Sequence, residues 1–119
     1  MFIVDGYNIT LSRGDTGAIK ITIETDYEFQ TTDRVLFSIK NAVGDIVKQQ
    51  AFQVDENKAF IVTFFNTDTD NLPAGGFSWD IRCVLHPYYD SSGNIVNGDQ
   101  VITPKQPMNL QLLNVVGEV

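Results

Sequence analysis

The fold is decided by the stretch Leu72-Pro73-Ala74-Gly75-Gly76-Phe77-Ser78-Trp79-Asp80-Ile81, in which a Pro/Gly turn leads into alternating residues. From this turn onward every second side chain is apolar: Phe77, Trp79, Ile81, Cys83 and Leu85. The positions between them hold Ser78, Asp80, Arg82 and His86, interrupted only by Val84. Successive residues of a β-strand point to opposite faces, so this period of two predicts a strand with one buried face. The single Trp of the chain then lies in the middle of a core strand.

Turn-forming residues recur along the rest of the chain, and the segments between them are rich in β-branched and aromatic residues. The clearest of these segments are 18–23, 35–40, 46–54, 60–65 and 108–116. A turn every 8–12 residues or so is typical of an all-β sandwich or barrel. The chain has 119 residues, which is the size of one domain. We therefore expect a single all-β domain spanning residues 1–119, an immunoglobulin-like antiparallel β-sandwich of about 7–9 strands.

The alternation also predicts the core and the local connections. The expected core side chains are Phe37, Phe60, Phe77, Trp79 and Ile81. Residues 46–54 are expected to pair with the preceding strand through the turn at Gly44-Asp45, as in a hairpin. Residues 67–70 could form a single helical turn with Thr67 as its cap. Residues 90–100 are polar and contain two turn signals, which predicts a protruding hairpin or loop.

The charge of the chain bears on its partners. It carries eight Lys and Arg against 15 Asp and Glu, a formal net charge of −7, and no basic run. Such a surface repels phosphate, so neither nucleic acid nor an anionic membrane is an expected partner. The N-terminus has no signal-peptide pattern, and no apolar run approaches the roughly 20 residues that a spanning helix needs. We expect synthesis in the cytoplasm without secretion.

The residues that could support catalysis are few. His86 is the single His and stands at a strand end, where it is either a catalytic base or an ordinary imidazole at the rim. Cys83 is the single Cys and shares a face with Ile81 and Leu85, which disfavours a reactive thiolate and favours a small core residue. Neither residue has a partner in the pattern, so we expect no catalytic residues and no enzymatic activity.

Three further motifs have ordinary explanations. Residues 66–71 resemble the start of a calcium loop, but Asn71 and Phe77 stand where Gly and Glu are required, so we expect no metal site and no cofactor. Arg13-Gly14-Asp15 reads as a tight turn between strands rather than as an integrin ligand. Asn8-Ile9-Thr10 matches the glycosylation sequon, which has no meaning without secretion.

Tyr88 and Tyr89 are the best candidates for a binding surface. Paired tyrosines can stack on a sugar or anchor a protein interface, and they could equally pack on the end of the sandwich. The loop that follows them carries Asn94 and Asp99. We name Tyr88, Tyr89, Asn94 and Asp99 as the candidate interface.

Four segments together resemble a family of small β-sandwich proteins from phages and prophages of Gram-positive bacteria, with the N-terminal domain of the baseplate upper protein as its nearest relative. They are ITLSRGDT at residues 9–16, DRVLFSIK at 33–40, LPAGGFSWDI at 72–81 and VITP at 101–104. The resemblance spans nearly the whole chain and rests on the order and spacing of these segments. In this family a Gly-Asp-Thr turn, a second strand and a Trp-Asp-Ile strand occur at the same places.

This resemblance implies a structural function. Members of the family connect receptor-binding proteins to the tail tip or decorate the virion, usually as symmetric oligomers. We therefore expect a phage tail or baseplate adaptor located in the virion, which forms a homo-oligomer and contacts other tail and baseplate proteins. The alternative from a different class is a carbohydrate-binding module without catalysis, for which an exposed aromatic platform would be the distinguishing feature.

Overall fold

The computed structural model describes residues 2–5, 8–102 and 108–113, and the regular secondary structure in this part of the chain is almost entirely β-strand. The strands are β1 (Phe2–Asp5), β2 (Asn8–Ser12), β3 (Gly17–Thr22), β4 (Arg34–Lys40), β5 (Ile46–Phe52), β6 (Ala59–Phe64), β7 (Gly75–Tyr89), β8 (Ile95–Ile102) and β9 (Met108–Leu113). One helical turn, α1 (Asn66–Thr69), stands between β6 and β7. The prediction of an all-β protein is confirmed.

The larger sheet is curled and has the strand order β1-β2-β9-β7-β4-β5, with β8 also paired to β7. The 15-residue strand β7 organises it. One edge of β7 pairs with β9 through Gly75–Trp79 and with β8 through the residues from Cys83 to Tyr89. The other edge pairs with β4 from Ser78 to Val84.

One pair of strands departs from the expected antiparallel arrangement. Strands β2 and β9 run parallel, with Ile9 opposite Leu110 and Leu11 opposite Leu112. Parallel neighbours need a long connection between them, and here the intervening strands β3 to β8 supply it. Period-two patterns specify faces but not direction, so the sequence pattern did not reveal this pairing.

The second sheet consists of β3 and β6, and side chains of β6 contact side chains of the larger sheet, as Phe64 does with Phe37 and Phe60 with Phe52. The side chains between the two sheets form a cluster of buried apolar residues. The five residues expected in the core, Phe37, Phe60, Phe77, Trp79 and Ile81, all lie in this cluster with at most 8% of their surface exposed. Phe37 contacts both sheets: its ring lies 5.5 Å from Trp79 and 6.1 Å from Phe64, centroid to centroid.

Two local predictions can be compared with the structure directly. Strands β4 and β5 pair from Val35–Phe52 to Lys40–Ile46 and are joined by a turn in which Gly44 has a φ of 89°. This is the expected hairpin, and Gly suits it because a positive φ is unfavourable for other residues. The helical turn occurs at Asn66–Thr69, but Thr67 does not cap it. The side-chain contact at its N-terminus comes instead from Asp68, whose carboxylate accepts a 2.7 Å hydrogen bond from the Phe65 amide.

The last predicted strand, 108–116, is observed as Met108–Leu113, and residues 114–116 lie outside the described residues.

On the face of the larger sheet opposite the core, two polar side chains are also buried. Ser38 accepts a 2.9 Å hydrogen bond from Gln49, and Asp80 lies 3.4 Å from the ammonium group of Lys40.

Candidate functional site

A cleft of about 390 Å³ lies beside the outer end of β7. One wall is the segment that leads into β4, residues 31–34. The other wall is the C-terminal end of β7, residues 86–89. Its lining residues are Thr31, Thr32, Arg34, His86, Pro87, Tyr88 and Tyr89. Both candidate tyrosines therefore lie in one concave site, together with residues from a segment more than 50 positions earlier in the chain.

The end of β7 is accessible because its two neighbours have different lengths. Strand β4 begins at Arg34, which pairs with Val84, whereas β8 pairs with β7 as far as Tyr89. Among the described residues, 85–89 thus have no strand partner on the β4 side. Tyr88 and Tyr89 are 52% and 51% exposed there.

Two irregularities explain why consecutive residues of one strand can face the same cleft. Strand β8 has a bulge opposite Tyr88 and Tyr89. Tyr88 pairs with Asn97 and Tyr89 with Ile95, so Val96 between them is an extra residue without a partner in the pairing. Bulges increase local twist and redirect side chains. His86 has a φ of 51°, in the left-handed region that residues other than Gly seldom occupy. These features break the alternation that would otherwise place neighbouring side chains on opposite faces.

The conformation of His86 is held by a buried carboxylate. Asp33 is 2% exposed, and its Oδ1 accepts a 2.9 Å hydrogen bond from the amide of His86. Its Oδ2 accepts hydrogen bonds of 2.8 Å from the Gln30 amide and from the hydroxyl of Tyr27. One carboxylate therefore ties the two walls of the cleft together.

The charge of Asp33 is stabilised by the same contacts. Burial alone would raise the pKa of Asp33, but the hydrogen bonds from Gln30, His86 and Tyr27 outweigh burial and hold the pKa below its ordinary value. The hydrogen bond to Asp33, with burial and the nearby negative charge, raises the pKa of the Tyr27 hydroxyl. Asp33 is thus ionised at neutral pH, and both of its oxygens have donors.

Arg34 is oriented by the wall from which it projects. Its Nη1 donates to the carbonyls of Thr31 at 2.6 Å and of Asp33 at 2.8 Å. Among the described residues, Nη2 and Nε of Arg34 have no acceptor. A guanidinium group fixed through one nitrogen can present its remaining donors to a planar anion.

Within residues 2–5, 8–102 and 108–113, the structure does not bring Cys83 and His86 together as a catalytic pair. Cys83 lies in the core at 2% exposure, and burial, with the charge of Asp33 as a second cause, raises the pKa of its thiol to about 11. A thiol with this pKa is protonated at neutral pH and is not a nucleophile. The His86 side chain is exposed at the cleft, and the lining residues include no Ser, Cys, Asp or Glu.

Asn94 and Asp99, the other two candidate interface residues, lie outside the cleft. Asn94 belongs to the β7–β8 turn, where its amide donates to Asp90 Oδ1 at 2.9 Å and its carbonyl accepts from the Asp90 amide at 2.9 Å. Asp99 is exposed on β8, at the position across from His86. The hairpin predicted for residues 90–100 is present as this turn and strand β8.

The remaining motifs have structural roles. Gly14 has a φ of 81° and donates to Thr69 Oγ1 at 2.9 Å, and Arg13 donates to the Leu72 carbonyl at 3.0 Å, so the Arg-Gly-Asp turn packs against the segment after α1. Asp68, in the calcium-like segment, binds the ammonium group of Lys48 at 2.9 Å. Within the described residues, no group of three or more His, Cys, Asp or Glu side chains could hold a metal ion.

Sequence reasoning missed one whole wall of the cleft. Thr31 and Thr32 gave no signal in the sequence, and Asp33 and Arg34 entered only as the first two residues of the segment DRVLFSIK at 33–40. A single acidic residue directly before a buried strand was the one available signal, because a carboxylate there can accept hydrogen bonds from nearby amides.

The chain matches no protein-family model and no curated protein. In the part of the chain that the structure describes, no helix is long and apolar enough to cross a membrane.

Proposed function

We propose that this protein is an immunoglobulin-like β-sandwich that serves as a structural protein of a phage or prophage, as an adaptor in the tail or baseplate. The observation that carries the proposal is the exposed outer end of the β7–β8 hairpin. Its apolar surface comes from Tyr88, Tyr89 and Val96, each more than half exposed. The resemblance of the sequence to baseplate proteins adds the virion as the location.

The composition of this surface suits a protein partner. Tyr is among the residues most often responsible for binding energy in protein interfaces, because a large ring and a hydroxyl are presented at low entropic cost. Val96 is 63% exposed at the bulge on the neighbouring strand, which adds apolar area beside the rings. The partners on this proposal are other tail or baseplate proteins and further copies of the chain.

The framework behind the surface is suited to assembly. The core side chains of β4 and β7 are buried between the sheets, and the paired strands hold the hairpin at a fixed place. A rigid module loses little conformational entropy when it binds, which favours repeated symmetric contacts. The net charge of −7 disfavours nucleic acid as an alternative partner.

The test is to induce the bacterium that encodes the chain with a DNA-damaging agent, sediment the particles and search them by mass spectrometry. We expect the chain at a fixed ratio to the tail proteins. Particles that contain tail proteins but lack this chain contradict the proposal.

A variant test then localises the contact. Replacing Tyr88 and Tyr89 together with Ala should remove the chain from particles without unfolding it. Phe65→Ala is the matched control, because Phe65 is an aromatic residue that is 60% exposed and lies outside the hairpin. Equal incorporation of both variants would place the contact elsewhere.

The cleft favours a second candidate function, a carbohydrate-binding module without catalysis. Its two tyrosines supply ring faces, and Thr31, Thr32 and Arg34 supply polar groups around them. A pocket that combines aromatic walls with a few directed polar groups is typical of small-ligand sites. A glycan-array screen tests this function, and it supports the module if binding is lost when both tyrosines are replaced by Ala.

A further inference from the structure

The charged groups of the cleft differ from those of the protein as a whole. The chain has an excess of seven acidic residues, yet none of the seven residues that line the cleft is acidic. Arg34 is the permanently charged group of the lining. Charges more than about 8 Å away are largely screened at physiological ionic strength, so the local groups decide what binds.

Three acidic residues adjoin the lining residues in sequence or lie on the β7–β8 hairpin, and they have other roles than pairing with Arg34. Asp33 precedes Arg34, and its oxygens accept three hydrogen bonds from Tyr27, Gln30 and His86. Asp90 and Asp99 stand on the neighbouring hairpin, where Asp90 accepts hydrogen bonds from the amides of its own turn. No ion pair of Arg34 with a carboxylate occurs within the described residues.

The strained backbone at His86 is a second, independent observation. A residue other than Gly at positive φ is energetically unfavourable and tends to persist at functional sites, where the surroundings enforce it. At His86 the enforcing group is Asp33, which also holds the opposite wall through Gln30. Asp33 therefore holds His86 in this strained conformation and fixes both walls of the cleft in one geometry before a ligand binds.

From this juxtaposition we infer that the cleft binds a saccharide that carries a carboxylate, such as a uronic acid. The carboxylate pairs with the free edge of the Arg34 guanidinium, since Nη1 is already occupied by the carbonyls of Thr31 and Asp33. The sugar ring packs on Tyr88 and Tyr89, and its hydroxyls reach Thr31 and Thr32. This inference rests on the second candidate function and specifies its ligand.

The experiment is an NMR titration of the intact chain with a galacturonic acid trisaccharide, the matched neutral galactose trisaccharide and acetate. We expect the acidic trisaccharide alone to shift the amide signals of residues 31–34, 86, 88 and 89, less strongly as salt is added. Arg34→Gln should weaken this binding at least tenfold. Arg82→Gln is the matched control, since Arg82 is an exposed Arg of β7 outside the lining, and it should bind like the unaltered chain.

Other outcomes overturn the inference in distinguishable ways. Equal binding of the acidic and neutral trisaccharides removes the role of Arg34 but leaves the carbohydrate-binding function in place. Equal binding of acetate indicates a general anion site without saccharide recognition. Failure of every probe rejects the inference, while the glycan array decides separately whether the carbohydrate-binding function stands. The assembly proposal is unaffected because it is tested in particles. If Arg34→Gln unfolds the chain, the double replacement of Tyr88 and Tyr89 by Ala decides the matter, since binding that survives it refutes the site.

Discussion

Removing the carboxylate of Asp33 should destabilise the protein more than any other single change on its surface loops. Asp33→Ala deletes the acceptor for the Tyr27 hydroxyl and for the amides of Gln30 and His86. The change also releases His86 from its φ of 51°, because the contact that holds it is lost. We therefore expect the two walls of the cleft to separate as the stability falls.

The size of the effect follows from the three contacts. A hydrogen bond to a charged group contributes about 1.5–3 kcal/mol, which would give at least 4 kcal/mol if each donor stayed buried. Gln30 and His86 are exposed residues and Tyr27 is half-buried, so water can replace part of what is lost. Relief of strain at His86 offsets a little more. We expect a loss of about 3–4 kcal/mol for Asp33→Ala and about 2 kcal/mol for Asp33→Asn, which keeps one acceptor oxygen.

The effect should depend on pH in a defined direction. The pKa of Asp33 is lowered in the folded protein, so its contribution is fully present above the unfolded value of about 4. As the pH falls below that value, the unfolded chain takes up a proton that the folded chain does not, and the contribution decreases. The difference in stability between the unaltered protein and Asp33→Ala should therefore shrink between pH 7 and roughly pH 3.

Urea denaturation followed by the fluorescence of Trp79 measures both effects, because Trp79 is the single Trp and is buried. Asp26→Ala is the control, since Asp26 is an exposed carboxylate in the same loop. The reasoning is refuted if Asp33→Ala costs less than about 1 kcal/mol at pH 7, or if the gap from the unaltered protein is the same at both pH values.

Three further changes test the core and the hairpin. Trp79→Ala should cost about 3–5 kcal/mol in calorimetric or denaturant unfolding, because it opens a cavity beside Phe37; a loss under about 1 kcal/mol would remove Trp79 from the core. Gly98→Ala should cost about 1–3 kcal/mol by the same measurement, because its new methyl group would lie 2.7 Å from the Leu85 carbonyl oxygen. Its control is Asp99→Ala, and equal stabilities of the two variants would contradict this close approach. Cys83 should react with a thiol reagent at neutral pH only at the rate of unfolding, since burial raises its pKa to about 11; rapid labelling of the folded protein would show that the thiol is accessible.

Much of the strand content could be predicted from particular residues. The alternation from Phe77 to Leu85 predicted β7, and Gly44-Asp45 between two alternating segments predicted the hairpin of β4 and β5. These signals are local: side chains alternate with a period of two in any strand, and a tight turn requires residues that tolerate its backbone angles. The parallel pairing of β2 with β9 could not be predicted in this way, because it joins residues about 100 positions apart.

The candidate site, too, could be predicted from the sequence only in part. The sequence by itself determined that Tyr88 and Tyr89 follow a core strand, that the single Cys shares a buried face and that the chain is acidic. Only the tertiary structure decided that Thr31, Thr32 and Arg34 stand across a cleft from these tyrosines. It alone placed Asp33 where it bonds the amide of His86, 53 positions away. The physical reason is that a local pattern fixes which face of a strand is apolar, whereas a site built from distant segments depends on how the sheets pack and where neighbouring strands end.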